Sequence, residues 1–146
     1  MWETETSIDI AAPVERVYEY LADFPRHSEW STSVGELVPV SNGPIAVGME
    51  FEATEEVPAR FTSYTRITVL EPGRRIAWES WDGRMMKVKW EFELSPQNGS
   101  THLVQRARFE PTSLVGRILL ATIRKRQIPK ENAQSLMRIK ANLEKQ

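Results

Sequence analysis

The chain has 146 residues, 40% hydrophobic and 27% charged, the balance of a folded globular protein of about one domain rather than a disordered one. It contains no cysteine, which excludes disulfides, thiolate metal sites and cysteine nucleophiles. A net charge of −1 conceals an asymmetry: residues 1–60 hold 12 acids against 3 Lys/Arg, −9, and residues 61–146 hold 16 Lys/Arg against 8 acids, +8. Such a split either attracts an anionic partner to the second part or cancels where the two parts interleave.

The opening Met1-Trp2-Glu3-Thr4-Glu5 lacks the basic-then-apolar form of a secretory leader. No apolar run approaches the ~18 residues of a membrane span, and the sequence reads as cytoplasmic. Residues 2–10 alternate, with Trp2, Thr4, Thr6, Ile8 and Ile10 on one side and Glu3, Glu5, Ser7 and Asp9 on the other, which predicts a strand with one wet face. Pro13 suits a first helical position, and Val14, Val17, Tyr18 and Leu21 recur at helical spacing over 13–22. A second short helix or turn follows over 24–30.

From Val34 to Pro111 the pattern is strands and turns: 34–40, 49–55, 61–70, 75–81, 85–94 and 101–110. Asp82-Gly83 is a two-residue hairpin signal, and Asn98-Gly99 marks the next turn. Residues 113–144 then carry a long helical pattern, with Thr112 or Ser113 able to cap its start. Pro129 lies within it and predicts a kink or break nearby. The expected class is α+β: a curved antiparallel sheet of six or seven strands on a long C-terminal helix, with two short helices after the first strand. A straight helix and a curved sheet do not mate everywhere, so the space between them is either filled as solid core, which periodicity alone favours, or left as a hollow of the kind that binds apolar ligands.

Several pieces carry a family resemblance: Ile8-Asp9-Ile10-Ala11-Ala12-Pro13, then Val17-Tyr18-Glu19-Tyr20-Leu21-Ala22-Asp23 followed by Trp30. They continue with Val47-Gly48-Met49-Glu50-Phe51, with 70–78 (Leu70-Glu71-Pro72-Gly73-Arg74-Arg75-Ile76-Ala77-Trp78), and with Trp90-Glu91-Phe92-Glu93-Leu94 before Gly99-Ser100-Thr101. In this order and spacing the chain resembles the START-like superfamily (SRPBCC, the polyketide cyclase/dehydrase and lipid-transport group) along nearly its whole length. The resemblance implies one domain over 1–146, the helix-grip fold, and a ligand region between sheet and long helix.

No metal site, cofactor or catalytic residue is indicated. His27 and His102, the two histidines, fall in different elements, and His102 shares its strand face with Arg106, Arg108 and Glu110. There is no Gly-x-Ser-x-Gly elbow and no Gly-rich phosphate loop, and Glu50/Glu52 and Glu91/Glu93 alternate with apolar residues as water-facing positions do. Alternation places Met49, Phe51, Ser63, Thr65, Ile67, Val69, Ile76, Trp78, Met86, Val88, Trp90, Phe92, Leu103, Gln105, Ala107 and Phe109 inward. From the helix, Leu114, Val115, Ile118, Leu119 and Thr122 join them. From these, together with Trp30, the candidate ligand-binding set is Trp30, Met49, Phe51, Ser63, Thr65, Trp78, Met86, Trp90, Gln105, Phe109, Ile118 and Thr122. Flat aromatic side chains suit rings or acyl chains, and methionine adapts to varied shapes.

These observations, with the resemblance, favour a non-catalytic carrier or sensor for a small hydrophobic molecule (a lipid, polyketide or aromatic metabolite). The alternative is a cyclase/aromatase or dehydratase-type enzyme using the same cavity. Residues 113–146 hold 8 Lys/Arg against 2 acids, +6, so the last helix is either a solvated basic face or a contact for another protein or anionic membrane. Nothing in the sequence has the form of a nucleic-acid module or speaks to oligomeric state.

Overall fold

A computed structural model describes residues 2–32, 34–55 and 61–145. Among the described residues seven strands form one curved antiparallel sheet in the order β1-β7-β6-β5-β4-β3-β2. They are β1 Trp2–Ile10, β2 Val34–Pro39, β3 Glu50–Glu55, β4 Phe61–Glu71, β5 Arg75–Trp81, β6 Met86–Gln97 and β7 Ser100–Pro111. β2 to β7 meander, each beside its sequence neighbour, and β1 closes against β7 in register from Trp2↔Phe109 to Ile10↔Thr101. That pairing explains the charge asymmetry. On the outer face the acids of β1 meet the bases of β7: Arg106 Nε lies 3.1 Å from Glu5 Oε1, and His102 Nδ1 lies 2.7 Å from Asp9 Oδ1. The two oppositely charged parts of the chain therefore interleave.

Asn98 and Gly99, at φ 50° and 85°, make the two-residue turn between β6 and β7, a conformation these residues tolerate best. Asp82-Gly83 does not. Its loop runs from 82 to 85, because Asp82 Oδ1 accepts from the amides of Arg84, Met85 and Met86 at 2.8, 2.8 and 3.2 Å and holds a wider turn. In β4 the register shifts between Ile67↔Trp78 and Val69↔Ala77, a bulge at Thr68. Beyond it Leu70 packs on the core in place of the expected Val69.

After β1 come helix α1, Val14–Ala22, and a 3₁₀ helix, Phe24–Glu29. The C-terminal rod over 114–144 has three parts: α2 Leu114–Leu119, a π-helical turn Leu120–Arg124, and α3 Lys125–Glu144. Ser113 caps it, its Oγ accepting from Gly116 N at 3.1 Å. The irregularity expected at Pro129 falls ahead of it. α3 runs through Pro129, which has no N–H for the Lys125 carbonyl, and the π turn ends immediately before Lys125.

The two ends of the rod are held differently. At its C-terminal end Ala11 N donates to Glu144 Oε2 at 2.7 Å, Lys140 Nζ donates to the Asp9 carbonyl at 2.9 Å, and Arg16 donates to the Leu143 carbonyl. Leu136, Ile139 and Leu143 complete the main core there with Phe24, Phe51, Phe92 and Leu103. Under the first half of the rod the core is a smaller group, Ala107, Phe109, Leu120 and Ile128. Trp90 packs against both groups.

Candidate ligand cavity

The floor of the sheet–helix junction is a band of rings. Phe24 meets Trp78 edge-on at 5.4 Å, Trp78 stacks on Trp90 at 6.3 Å, Trp90 meets Phe109 edge-on at 5.7 Å, and Phe109 reaches Trp2 at 5.5 Å. Cross-strand pairing sets this spacing, since Trp78 lies opposite Trp90 and Trp90 opposite Ala107. Above the band sits a cavity of about 80 Å³. It is well below the roughly 300–1,000 Å³ of pockets that enclose drug-sized ligands.

Of the twelve residues expected at a ligand site, Trp30, Thr65, Trp78, Trp90, Gln105 and Phe109 stand around this cavity. The others do not. Phe51 is wholly buried in the main core, stacked on Phe24 at 5.7 Å, and Met49 packs on the same core. Ser63 and Met86 border a separate shallow dimple beside Trp81. Ile118 and Thr122 are corrected outright: both face solvent, and Thr122 Oγ1 donates to the Ile118 carbonyl at 2.7 Å. The inward helical positions are instead Gly116, Leu120, Arg124, Ile128 and Asn132, spaced by four. In an unbroken α-helix such positions drift by about 40° per step. The π turn takes in an extra residue and returns much of that drift, keeping all five on the sheet side.

The rod thus brings polar groups to the cavity that alternation in the strands does not signal. Arg124 and Glu131, two turns apart, form a bidentate pair with N···O distances of 2.7 and 3.0 Å and side chains only 12% and 20% exposed. Asn132 Nδ2 donates to Thr4 Oγ1 at 3.3 Å, and Thr65 Oγ1 lies 3.3 Å from Ser80 Oγ. His27 completes the wall. Its Nε2–H donates to the Leu21 carbonyl at 2.8 Å, and its ring stacks on Phe24 at 4.3 Å. Burial among these rings pushes its pKa down to about 4, so it is neutral at pH 7. Two of the buried polar atoms that have no hydrogen-bond partner among the described residues border this cavity: the Trp30 Nε1–H donor and the Gln105 Oε1 acceptor, each on a residue 3% exposed.

A larger open depression of about 510 Å³ lies on the outer face, but its walls are charged residues such as Glu3, Glu5, Lys89, Arg106 and Arg108. Among the described residues no three His, Asp or Glu side chains converge as a metal site.

A curved antiparallel sheet gripping a C-terminal helix, with a cavity between them, defines a helix-grip protein of the START-like class. The family model for polyketide cyclase / dehydrase and lipid transport matches residues 1–144, and the chain belongs to that family. Among solved structures it resembles the Zhui aromatase/cyclase from Streptomyces sp. R1128, with a TM-score of 0.79, 17% identity, and coverage of 98% of this chain and 93% of that one. CV1439 from Chromobacterium violaceum gives 0.74 at 17% identity, covering 99% of both chains. A START superfamily protein from Mycobacterium smegmatis gives 0.73 at 13% identity, covering 98% and 97%. At these identities the likeness shows the fold. No curated protein sequence matches the chain significantly.

Proposed function

We propose that the protein is a carrier that sequesters a small, largely apolar molecule, held over the aromatic band and oriented by a hydroxyl or carbonyl group. The observation that carries this reading is the unpartnered pair in the cavity wall, Trp30 Nε1–H and Gln105 Oε1. A buried polar atom without a partner costs roughly 1–3 kcal/mol, and a ligand hydroxyl, which both accepts and donates, answers both atoms. The apolar remainder of the ligand contributes by burial, at about 25 cal/mol per Å². At about 80 Å³ the cavity must widen to take a ring system. The stretch of the rod between its anchored first turn and Ile128 is the part able to move, since only the smaller core group underlies it. Membership of a family that spans cyclases and lipid transport supports a small hydrophobic ligand without choosing between the two.

One observation favours the alternative, a polyketide cyclase/aromatase or dehydratase. The Arg124–Glu131 pair at the cavity edge could polarise a carbonyl and accept a proton. A matched pair of probes tests the carrier reading. 2-Naphthol should raise the melting temperature measurably more than naphthalene, and Trp30→Phe and Gln105→Leu should each narrow that gap. No shift with either probe, or equal shifts, would defeat it. Conversion of a poly-β-ketone that survives Gln105→Leu but is lost in Glu131→Gln would replace the carrier with the enzyme.

A further inference from the structure

Of the helical positions that read as inward, Leu114, Val115, Ile118 and Thr122 lie outside and Leu119 is half-buried; Ile123 is exposed beside them. Leu114, Val115, Ile118 and Ile123 are 70%, 65%, 55% and 46% exposed, clustered on the first turns of the rod. Gly116, on the opposite side, fixes this orientation. It sits so close to the loop between β5 and β6 that a Cβ there would lie 1.9 Å from the Met85 carbonyl oxygen. The same oxygen accepts from Thr112 N at 2.9 Å, so the first turn is anchored with its apolar side outward. Four large apolar side chains exposed within ten residues are the mark of an interaction site.

The charge around the patch identifies the partner. Residues 111–130 hold five Lys/Arg and no Asp or Glu. Arg124 turns inward to Glu131, and Lys125 Nζ lies 6.0 Å from the Trp2 ring. Arg117, Arg126 and Lys130 remain exposed, with no ion pair among the described residues. Ile118, Thr122, Arg126 and Lys130 succeed one another at intervals of four along the outer side, apolar first and basic after. An apolar strip bordered by uncompensated cations fits the headgroup boundary of an anionic bilayer. There the apolar side chains enter the acyl edge and the cations stay among phosphates. A protein partner would need matching acids at three separate points, whereas an anionic bilayer supplies them continuously. No helix among the described residues is long and apolar enough to cross a membrane, so the contact is a docking on one leaflet.

We propose that the outer face of 114–130 is a membrane-docking surface that seats the protein on anionic lipid. This inference does not depend on the ligand reading, although Arg124 and Ile128 place the cavity edge on the same stretch of rod. The test is co-sedimentation of the full chain with vesicles of phosphatidylcholine alone and of phosphatidylcholine and phosphatidylglycerol in equal parts. Binding is expected to the mixed vesicles only. Arg117→Gln, Arg126→Gln and Lys130→Gln should each lower the partition coefficient about fivefold. Ile118→Ser should also weaken binding while leaving the melting temperature unchanged, because the side chain is already exposed. Equal binding to neutral vesicles, no binding to either, or binding indifferent to these substitutions overturns the proposal. So does sedimentation velocity showing a dimer that Ile118→Ser dissolves, which would make the patch a contact between copies.

Discussion

The wall of the cavity contains a titratable group whose effect on stability can be worked from its surroundings. His27 is buried against Phe24, Trp30 and Trp78, with ring centroids at 4.3, 4.6 and 5.2 Å. None of these rings stabilises an imidazolium enough to offset its desolvation, and the pKa falls from 6.5 to about 4. Above the ordinary histidine pKa both folded and unfolded chains hold the ring neutral. Below it the unfolded chain takes up a proton that the folded chain refuses until about pH 4, so acid favours unfolding. The whole shift corresponds to about 3 kcal/mol, of which about 2 kcal/mol is lost between pH 7 and pH 5. The comparison protein is His27→Phe, which keeps the stacking but cannot be protonated. It leaves the Leu21 carbonyl without its donor, so it should be less stable at pH 7 by about 1 kcal/mol. Urea unfolding at pH 7 and pH 5 would show the natural protein losing about 2 kcal/mol more than the variant over that interval, so that their order reverses. Parallel pH dependences in the two proteins would refute the reasoning, because they would mean that His27 is solvated in the folded state.

Three further outcomes are expected from the same geometry. Gly116→Ala should lower stability by roughly 1–3 kcal/mol, because its Cβ would press on the Met85 carbonyl, and hydrogen exchange should accelerate first over 114–124. In a double-mutant cycle Arg124→Met and Glu131→Leu should each destabilise, while the pair together should cost less than the sum by at least about 1 kcal/mol; additive effects in urea unfolding would mean that the ion pair is screened. Gln105→Leu should raise the stability of the free protein by about 1 kcal/mol while weakening 2-naphthol binding, and calorimetry showing both falling would mean that Oε1 is already satisfied.

The architecture is largely legible in the sequence because its signals are local. The alternation of Trp2, Thr4, Thr6 and Ile8 against Glu3, Glu5 and Ser7 survives in the burial of β1. The Asn98-Gly99 turn needs only two residues that accept positive φ. Strand positions on the cavity side, Thr65, Trp78, Trp90, Gln105 and Phe109, come from the same period of two. Ser80, two residues beyond Trp78, obeys that rule too, yet the candidate set omits it. Where alternation fails there is a physical interruption: the bulge at Thr68, which exchanges Val69 for Leu70, and the Asp82 carboxylate, which widens a turn. The burial of His27 is not read from the sequence although Phe24 and Trp30 lie three residues to either side of it, because Trp78, the ring that closes over it from the sheet, is fifty-one residues away.

The largest misreading, of the rod, has a single cause with two consequences. Apolar spacing at 114, 115, 118, 119 and 122 matches an α-helix with an inward face, and propensity alone cannot tell that face from an outward one. Which face turns in is decided at two points. Gly116 is the residue small enough to seat against Met85, and the π turn at Leu120–Arg124 rotates the remainder of the rod by on the order of 100° relative to a regular helix. Without that turn, seating Gly116 on the sheet would carry Arg124 and Asn132 away from it. With it, Arg124 reaches the cavity edge, while Ile118 and Ile123 remain outside with no protein partner to bury them. The polar groups that the rod brings to the cavity and the apolar strip on which the membrane reading rests are thus two sides of one helical irregularity. Deleting Ala121, an exposed residue within the π turn, tests that link in one protein: the rod should regularise, Arg124 should lose Glu131, and binding to naphthol and to anionic vesicles should decline together. If one binding activity persists at full strength in a folded deletion variant, the irregularity does not set both faces.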